Sequence, residues 1–163
     1  MRVLFAGGKD IGCGCLEYLL GHPQVEVVGV FVNPDGDIAC DRWYHSATEL
    51  ALAYSIPVFA PCNINSARVV NQVRNVEPDL IVVAYYDQIL RPEIIGLPRL
   101  GCINLHMALA EEYQGCYPTT WAIINGENRV GVLLHIALKH RVFIYILSKR
   151  VEIEEIGADA PVQ

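Results

Sequence analysis

The sequence predicts an α/β fold, a mostly parallel twisted sheet with helices on both faces. Three observations predict it. Strand-like and helix-like segments alternate from Arg2 through Leu105, and parallel strands need such crossover helices. The strand-like segments are continuous apolar runs rather than alternating ones, as in Asp79–Ala84 (DLIVVA), and such strands are buried on both faces. The chain has 163 residues, 53% of them hydrophobic, which suits one domain with a single substantial core.

Each element has its own local cause. Arg2–Ala6 is a β-branched and aromatic run ending in glycine, a buried first strand. Gly7-Gly8-Lys9-Asp10-Ile11-Gly12 is a tight turn into a helix that continues over Cys13–Leu20 and stops at Gly21-His22-Pro23. The turn has neither Gly-Lys-Ser/Thr nor G-x-G-x-x-G, so a plain strand-to-helix turn is preferred over a nucleotide loop. Val25–Val32 is the second strand and closes at the turn Asn33-Pro34-Asp35-Gly36. After the polar loop Asp37–His45, Ser46 caps a helix over Ala47–Tyr54, with Glu49 completing a capping box. Ile56–Phe59 is a short third strand and Pro61–Asn65 a loop; Ser66 then caps Ala67–Val76, which Pro78 ends. Asp79–Ala84 is the most apolar strand, with Tyr85–Leu90 at its carboxyl end. Pro92–Ile95 is a short helix and Gly101–Leu105 a central strand. Gly115 and Pro118 break the chain before a helix at Thr119–Asn125 and a strand at Val130–Ile136.

Composition excludes several function classes. The net charge is −6 and no run of Lys or Arg marks a nucleic-acid face, which argues mildly against a large polyanion as substrate. No segment is long and apolar enough to span a bilayer. Met1–Ala6 is too short for the apolar region of a signal peptide, so a cytoplasmic location is the default. Cys13, Cys15, Cys40, Cys62, Cys102 and Cys116 form no CxxC pair and no zinc-ligand spacing. Reduced structural thiols are the preferred reading, and Cys116, a conceivable nucleophile, has no general base paired with it in sequence.

The candidate site lies in Leu100–Glu127. Asn104 and His106 are two apart on one strand, so their side chains share a face. An amide donor beside an imidazole suits a reaction that places negative charge on an oxygen while a proton moves. Ligands of open parallel sheets bind at the carboxyl ends of strands, where both Asn104/His106 and Tyr85–Leu90 lie. Tyr85, Tyr86, Tyr113 and Tyr117 serve equally well to stack on a ligand or to pack a pocket wall. His22, His45, His135 and His140 read as structural or solvated.

The stretch Asn104-Leu105-His106, a loop, and then Tyr113-Gln114-Gly115-Cys116-Tyr117-Pro118-Thr119-Thr120-Trp121-Ala122-Ile123-Ile124-Asn125-Gly126-Glu127 resembles the N-terminal catalytic domain of the 10-formyltetrahydrofolate-dependent formyltransferases. The resemblance runs from Met1 to about Leu134 and implies a Rossmann-like sheet, no metal, and transfer of a formyl group from 10-formyltetrahydrofolate to a primary amine. It assigns Asn104 and His106 as catalytic, places Gln88, Ile89 and Leu90 against the pterin largely through their backbone, and puts Cys116 in the segment lining the same pocket. The Cys-Tyr-Pro-Thr-Thr-Trp segment resembles the sugar-modifying branch, so an amino-sugar nucleotide is the expected acceptor and methionyl-tRNA the alternative. A homodimer is left open. A Rossmann-type nucleotide-binding module is permitted by the glycine turn but not favoured.

The chain also departs from that pattern. Ala108-Leu109-Ala110-Glu111-Glu112-Tyr113-Gln114-Gly115 stands where members usually carry Ser-Leu-Leu-Pro-Lys-Tyr-Arg-Gly, which reverses the local field and disfavours an anionic ligand there. An acidic loop whose Asp completes the catalytic trio is expected after Val130–Ile136, yet Ala137–Tyr145 contains no Asp, Glu or Gly. Lys139 and Arg141 in its place disfavour a protonated His106 and lower its pKa. Impaired catalysis, or a non-catalytic remnant that keeps the fold and the folate pocket, is the expectation that follows. The sequence ends at Gln163, where the resemblance implies a further helix and an acceptor-selecting domain, so a truncated single domain is expected.

Overall fold

In a computed structural model, residues 1–34, 45–108, 113, 117–127, 129–137 and 144–152 are described, the last stretch by its backbone. The elements in order are β1 (Arg2–Gly7), α1 (Lys9–Gly21), β2 (Glu26–Phe31), α2 (Ala47–Ala53), β3 (Val58–Phe59), α3 (Ala67–Val76), β4 (Leu80–Ala84), α4 (Pro92–Ile95), β5 (Cys102–His106), α5 (Pro118–Ile124), β6 (Arg129–Ala137) and β7 (Ile144–Glu152). They form a seven-stranded sheet in the order β3-β2-β1-β4-β5-β6-β7. The pairs from β3 to β5 are parallel, whereas β6 runs antiparallel to β5 and β7 antiparallel to β6. The mostly parallel sheet expected from the apolar runs is therefore present.

The alternation along β1 shows why those runs are continuous. Val3 and Phe5 face one core, with Leu16 of α1 and Ala47 and Ala51 of α2. Leu4 and Ala6 face the other, with Val69 and Val73 of α3 and Ile94 of α4. Both faces of the strand are dry, so no polar residue can alternate with the apolar ones. Each fully buried side chain of this kind contributes about 1.5–3 kcal/mol. Caps form where serine stands before a helix: Ser46 Oγ accepts from the Glu49 amide at 3.1 Å and Ser66 Oγ from the Val69 amide at 3.4 Å.

Three differences from the sequence expectation are local. The β1–α1 turn is shorter than the glycines imply, because α1 is already helical at Lys9. Helix α5 begins one residue early, with Pro118 in its first turn, and Asn125 caps its carboxyl end. Strand β7 was not expected; antiparallel pairing with β6 draws Ile144–Glu152 into the ladder.

The short turn depends on close packing. A Cβ on Gly7 would lie 2.0 Å from the Ala84 carbonyl oxygen, and one on Gly12 2.9 Å from the same atom. Neither contact can relax, because the obstacle is backbone in the middle of the sheet. Gly7→Ala is therefore expected to destabilise the chain by more than the ~1–3 kcal/mol typical of overpacking. Gly14→Ala, in a helix with nothing within 4 Å of the new methyl, is expected to stabilise by about 0.5–1 kcal/mol. Urea denaturation of the two variants measures the contrast.

Candidate active site

The strand order reverses direction between β1 and β4, and this switch point opens a crevice beyond the carboxyl ends of the strands. Strands β4 and β5 run in register, with Ala84 opposite Leu105, so Tyr85 and His106 are the next residues at the crevice. Asn104 and His106 project to one face, and Ile103 and Leu105 to the other, where they pack on the α1/α2 core.

Asn104 does not stand alone. The antiparallel register places His135 of β6 directly opposite it. The Asn104 Nδ2 donates to His135 Nε2 at 3.1 Å, which leaves the second amide proton free for another acceptor. His135 is only 5% exposed, so it is not solvated. Burial, offset in part by the Ile136 carbonyl and reinforced by His106 nearby, lowers its pKa from 6.5. The His106 and His135 rings meet edge to face with centroids 6.5 Å apart.

Burial is also the main cause that lowers the pKa of His106 from 6.5, opposed by a hydrogen bond to the backbone of Tyr113. The Tyr113 backbone therefore lies beside the His106 ring. The direction matches the sequence expectation, but its cause is burial; Lys139 and Arg141 lie outside the described residues. Tyr113 is itself held from α5: Asn125 Nδ2 donates to Tyr113 Oη at 3.2 Å, and Tyr113 Oη donates to Glu127 Oε1 at 3.2 Å. The Asn-Gly-Glu turn is thereby linked to the imidazole.

The Tyr85–Leu90 loop opens with Tyr85 in the left-handed region, at φ 58°. The Gln88 side chain is committed to protein: its Oε1 accepts from the Ile64 amide at 2.8 Å and its Nε2 donates to the Pro61 carbonyl at 2.7 Å. Its side-chain amide is therefore taken up by the loop before α3. The Ile89 side chain is 85% exposed, while Leu90 packs on the α3/α4 core. Cys116 lies outside the described residues. Sequence reasoning passed over His135, whose signal was an unexplained histidine on an otherwise apolar strand.

A family profile described as "Formyl transferase" matches residues 2–140. The chain belongs to the formyl transferase family. Methionyl-tRNA formyltransferase of Alkaliphilus oremlandii is 41% identical over 136 residues, 81% of this chain and 43% of the relative. The chain thus spans about two fifths of the length of that curated relative. Phosphoribosylglycinamide formyltransferase from Bacillus halodurans matches the fold with a TM-score of 0.77 at 21% identity, over 96% of this chain and 82% of that one. A sugar 3N-formyl transferase solved in the presence of dTdp and 5-N-Formyl-THF matches with a TM-score of 0.71 at 21% identity, over 94% and 53%. At that identity these structures support the fold. The formyl transferase profile ends at residue 140.

Proposed function

We propose that this formyl transferase chain carries a site that moves a formyl group from 10-formyltetrahydrofolate to a primary amine, with methionyl-tRNA as acceptor. The observation that carries the reading is that Asn104, with one amide proton uncommitted, and His106 share a face at the carboxyl end of β5. The acceptor reading rests on the 41% identity to a methionyl-tRNA formyltransferase. An amino-sugar nucleotide is the second reading. It is favoured by Tyr117 and Trp121, one helical turn apart on α5 and both exposed, an aromatic pair able to stack on a base.

The residues divide the chemistry between them. As the amine nitrogen bonds to the formyl carbon, the carbonyl electrons move onto oxygen, and the free Asn104 N–H donates to that oxyanion. His106 accepts the proton released by the attacking nitrogen and returns it to the folate nitrogen as the carbon–nitrogen bond to it breaks. The products are a formamide and tetrahydrofolate. Gln88–Leu90 offers its backbone to the edge of the pterin, a ring that needs fixed donors and acceptors.

His135 acts through Asn104. His135→Phe is expected to lower kcat about tenfold, equivalent to ~1.4 kcal/mol, by leaving the Asn104 amide free to turn. The KM for the folate donor is expected to stay within twofold, and steady-state kinetics separate the two.

The function is tested by assaying formyl transfer from 10-formyltetrahydrofolate to methionyl-tRNA and to a panel of amino-sugar nucleotides. Turnover with either acceptor identifies it. Folate binding without turnover identifies the non-catalytic remnant.

A further inference from the structure

Three carboxamide side chains converge on the loop after β4. Asn33, just past β2, accepts from the Asp87 amide through Oδ1 at 3.2 Å. Gln88 reaches back to the β3–α3 loop through both ends of its amide, to Ile64 and Pro61. Asn65 in that loop does the reverse: its Nδ2 donates to the Ile89 carbonyl at 2.9 Å and its Oδ1 accepts from the Arg91 amide at 2.8 Å. Asn65 is itself held, its backbone amide donating to Asn63 Oδ1 at 2.9 Å. Asn65 and Gln88 are thus two reciprocal clasps, each using one donor and one acceptor, between loops that are 24 residues apart in sequence.

A loop of this length ordered only by its ends would sample many conformations, and ordering it on binding costs affinity. Here the backbone is held at Asp87, Ile89 and Arg91 by the side chains of Asn33 and Asn65, and Gln88 is anchored through its own side chain. Apolar packing does not fix Ile89, whose side chain is exposed. We infer that Asn65 is a positioning residue for the folate donor: its clasp holds the Ile89–Arg91 backbone in the arrangement that receives the pterin. The inference rests on the folate reading above and adds a residue outside the loop that contacts the ligand. The amide is essential because it is both donor and acceptor. A carboxylate of the same shape keeps the bond from Arg91 but sets two oxygens against each other at Ile89.

The test uses Asn65→Ala and Asn65→Asp in the full chain, with 5-formyltetrahydrofolate as the probe. Amide hydrogen exchange without ligand comes first. Exchange at the Arg91 amide is expected to accelerate at least tenfold in Asn65→Ala, and an unchanged rate overturns the clasp whatever the ligand does. Titration with the probe is then expected to give a Kd raised about tenfold in both variants, with an unchanged thermal midpoint. In turnover assays the donor KM rises by the same factor, while kcat and the acceptor KM stay within twofold. Faster exchange with an unchanged Kd overturns the positioning role and leaves the folate reading intact. Failure of the unaltered chain to bind the probe, or a binding footprint that misses residues 88–90, overturns the folate reading and this inference with it.

Discussion

His106→Ala is expected to lower formyl transfer by about 10²–10⁴-fold, the range removed when a positioned general base is lost, while the chain still binds folate. The side chain lies at the end of β5, half-buried, with the Tyr113 backbone beside it. His106→Gln keeps a polar group of similar reach but cannot carry a proton, and it is expected to be as slow as alanine. The pH dependence provides the second check. Burial lowers the His106 pKa below 6.5, so the base is already neutral at pH 7 and the acid limb of kcat/KM falls below pH 6.5 rather than above it. Stability follows the same sign. A histidine whose folded pKa is depressed binds fewer protons folded than unfolded, so stability is full above 6.5 and is lost as pH falls through the lower folded value. His135 is depressed likewise and adds to the loss, and urea midpoints between pH 7.5 and 5 read the sum.

Asn104→Asp is expected to cost about 10²–10³ in kcat, or roughly 3–4 kcal/mol of barrier, the range found for removal of one oxyanion donor. The variant keeps the size of the side chain and removes only its protons. A carboxylate cannot donate to the developing oxyanion and repels it, so the loss falls on kcat with little change in either KM. A second signature comes from His135. In the native chain its Nε2 accepts from the amide; opposite a carboxylate it must donate instead, which favours the imidazolium. The His135 pKa is therefore expected to rise in Asn104→Asp, and the shift is visible by NMR titration of the ring. Asn104→Leu lowers kcat by a similar factor and leaves the His135 pKa low, which separates loss of the donor from reversal of its charge.

Much of this site was legible before any fold was known, for identifiable reasons. Asn104 and His106 belong together because a strand repeats every two residues, and Ser46 and Ser66 mark their helices because a hydroxyl there meets an orphan amide. Both rules act within a few residues. His135 was not legible, since it meets Asn104 across 31 residues of sequence through the register of an antiparallel pair. Asn65 and Asn33 escaped for the same reason: a polar residue in a loop gives no sign of which distant backbone it holds. Nor does the sequence show that the Gln88 side chain is bonded to Ile64 and Pro61, 24 and 27 residues away. Strand β7 was not legible because it is defined by its antiparallel pairing with β6, and nothing within a segment names its partner.

The reversal at β6 has an implication for how tolerant the sequence is. Asn104 and His135 are joined by a ladder rung, and side chains on a ladder alternate sides with every residue. One residue inserted or deleted between α5 and β6 would preserve an apolar ladder yet turn His135 to the opposite side of the sheet. The spacing between these elements is therefore constrained beyond parity: a register shift of two keeps His135 on the same side but sets it opposite Cys102 or His106, so a shift of either one or two residues leaves Asn104 unheld.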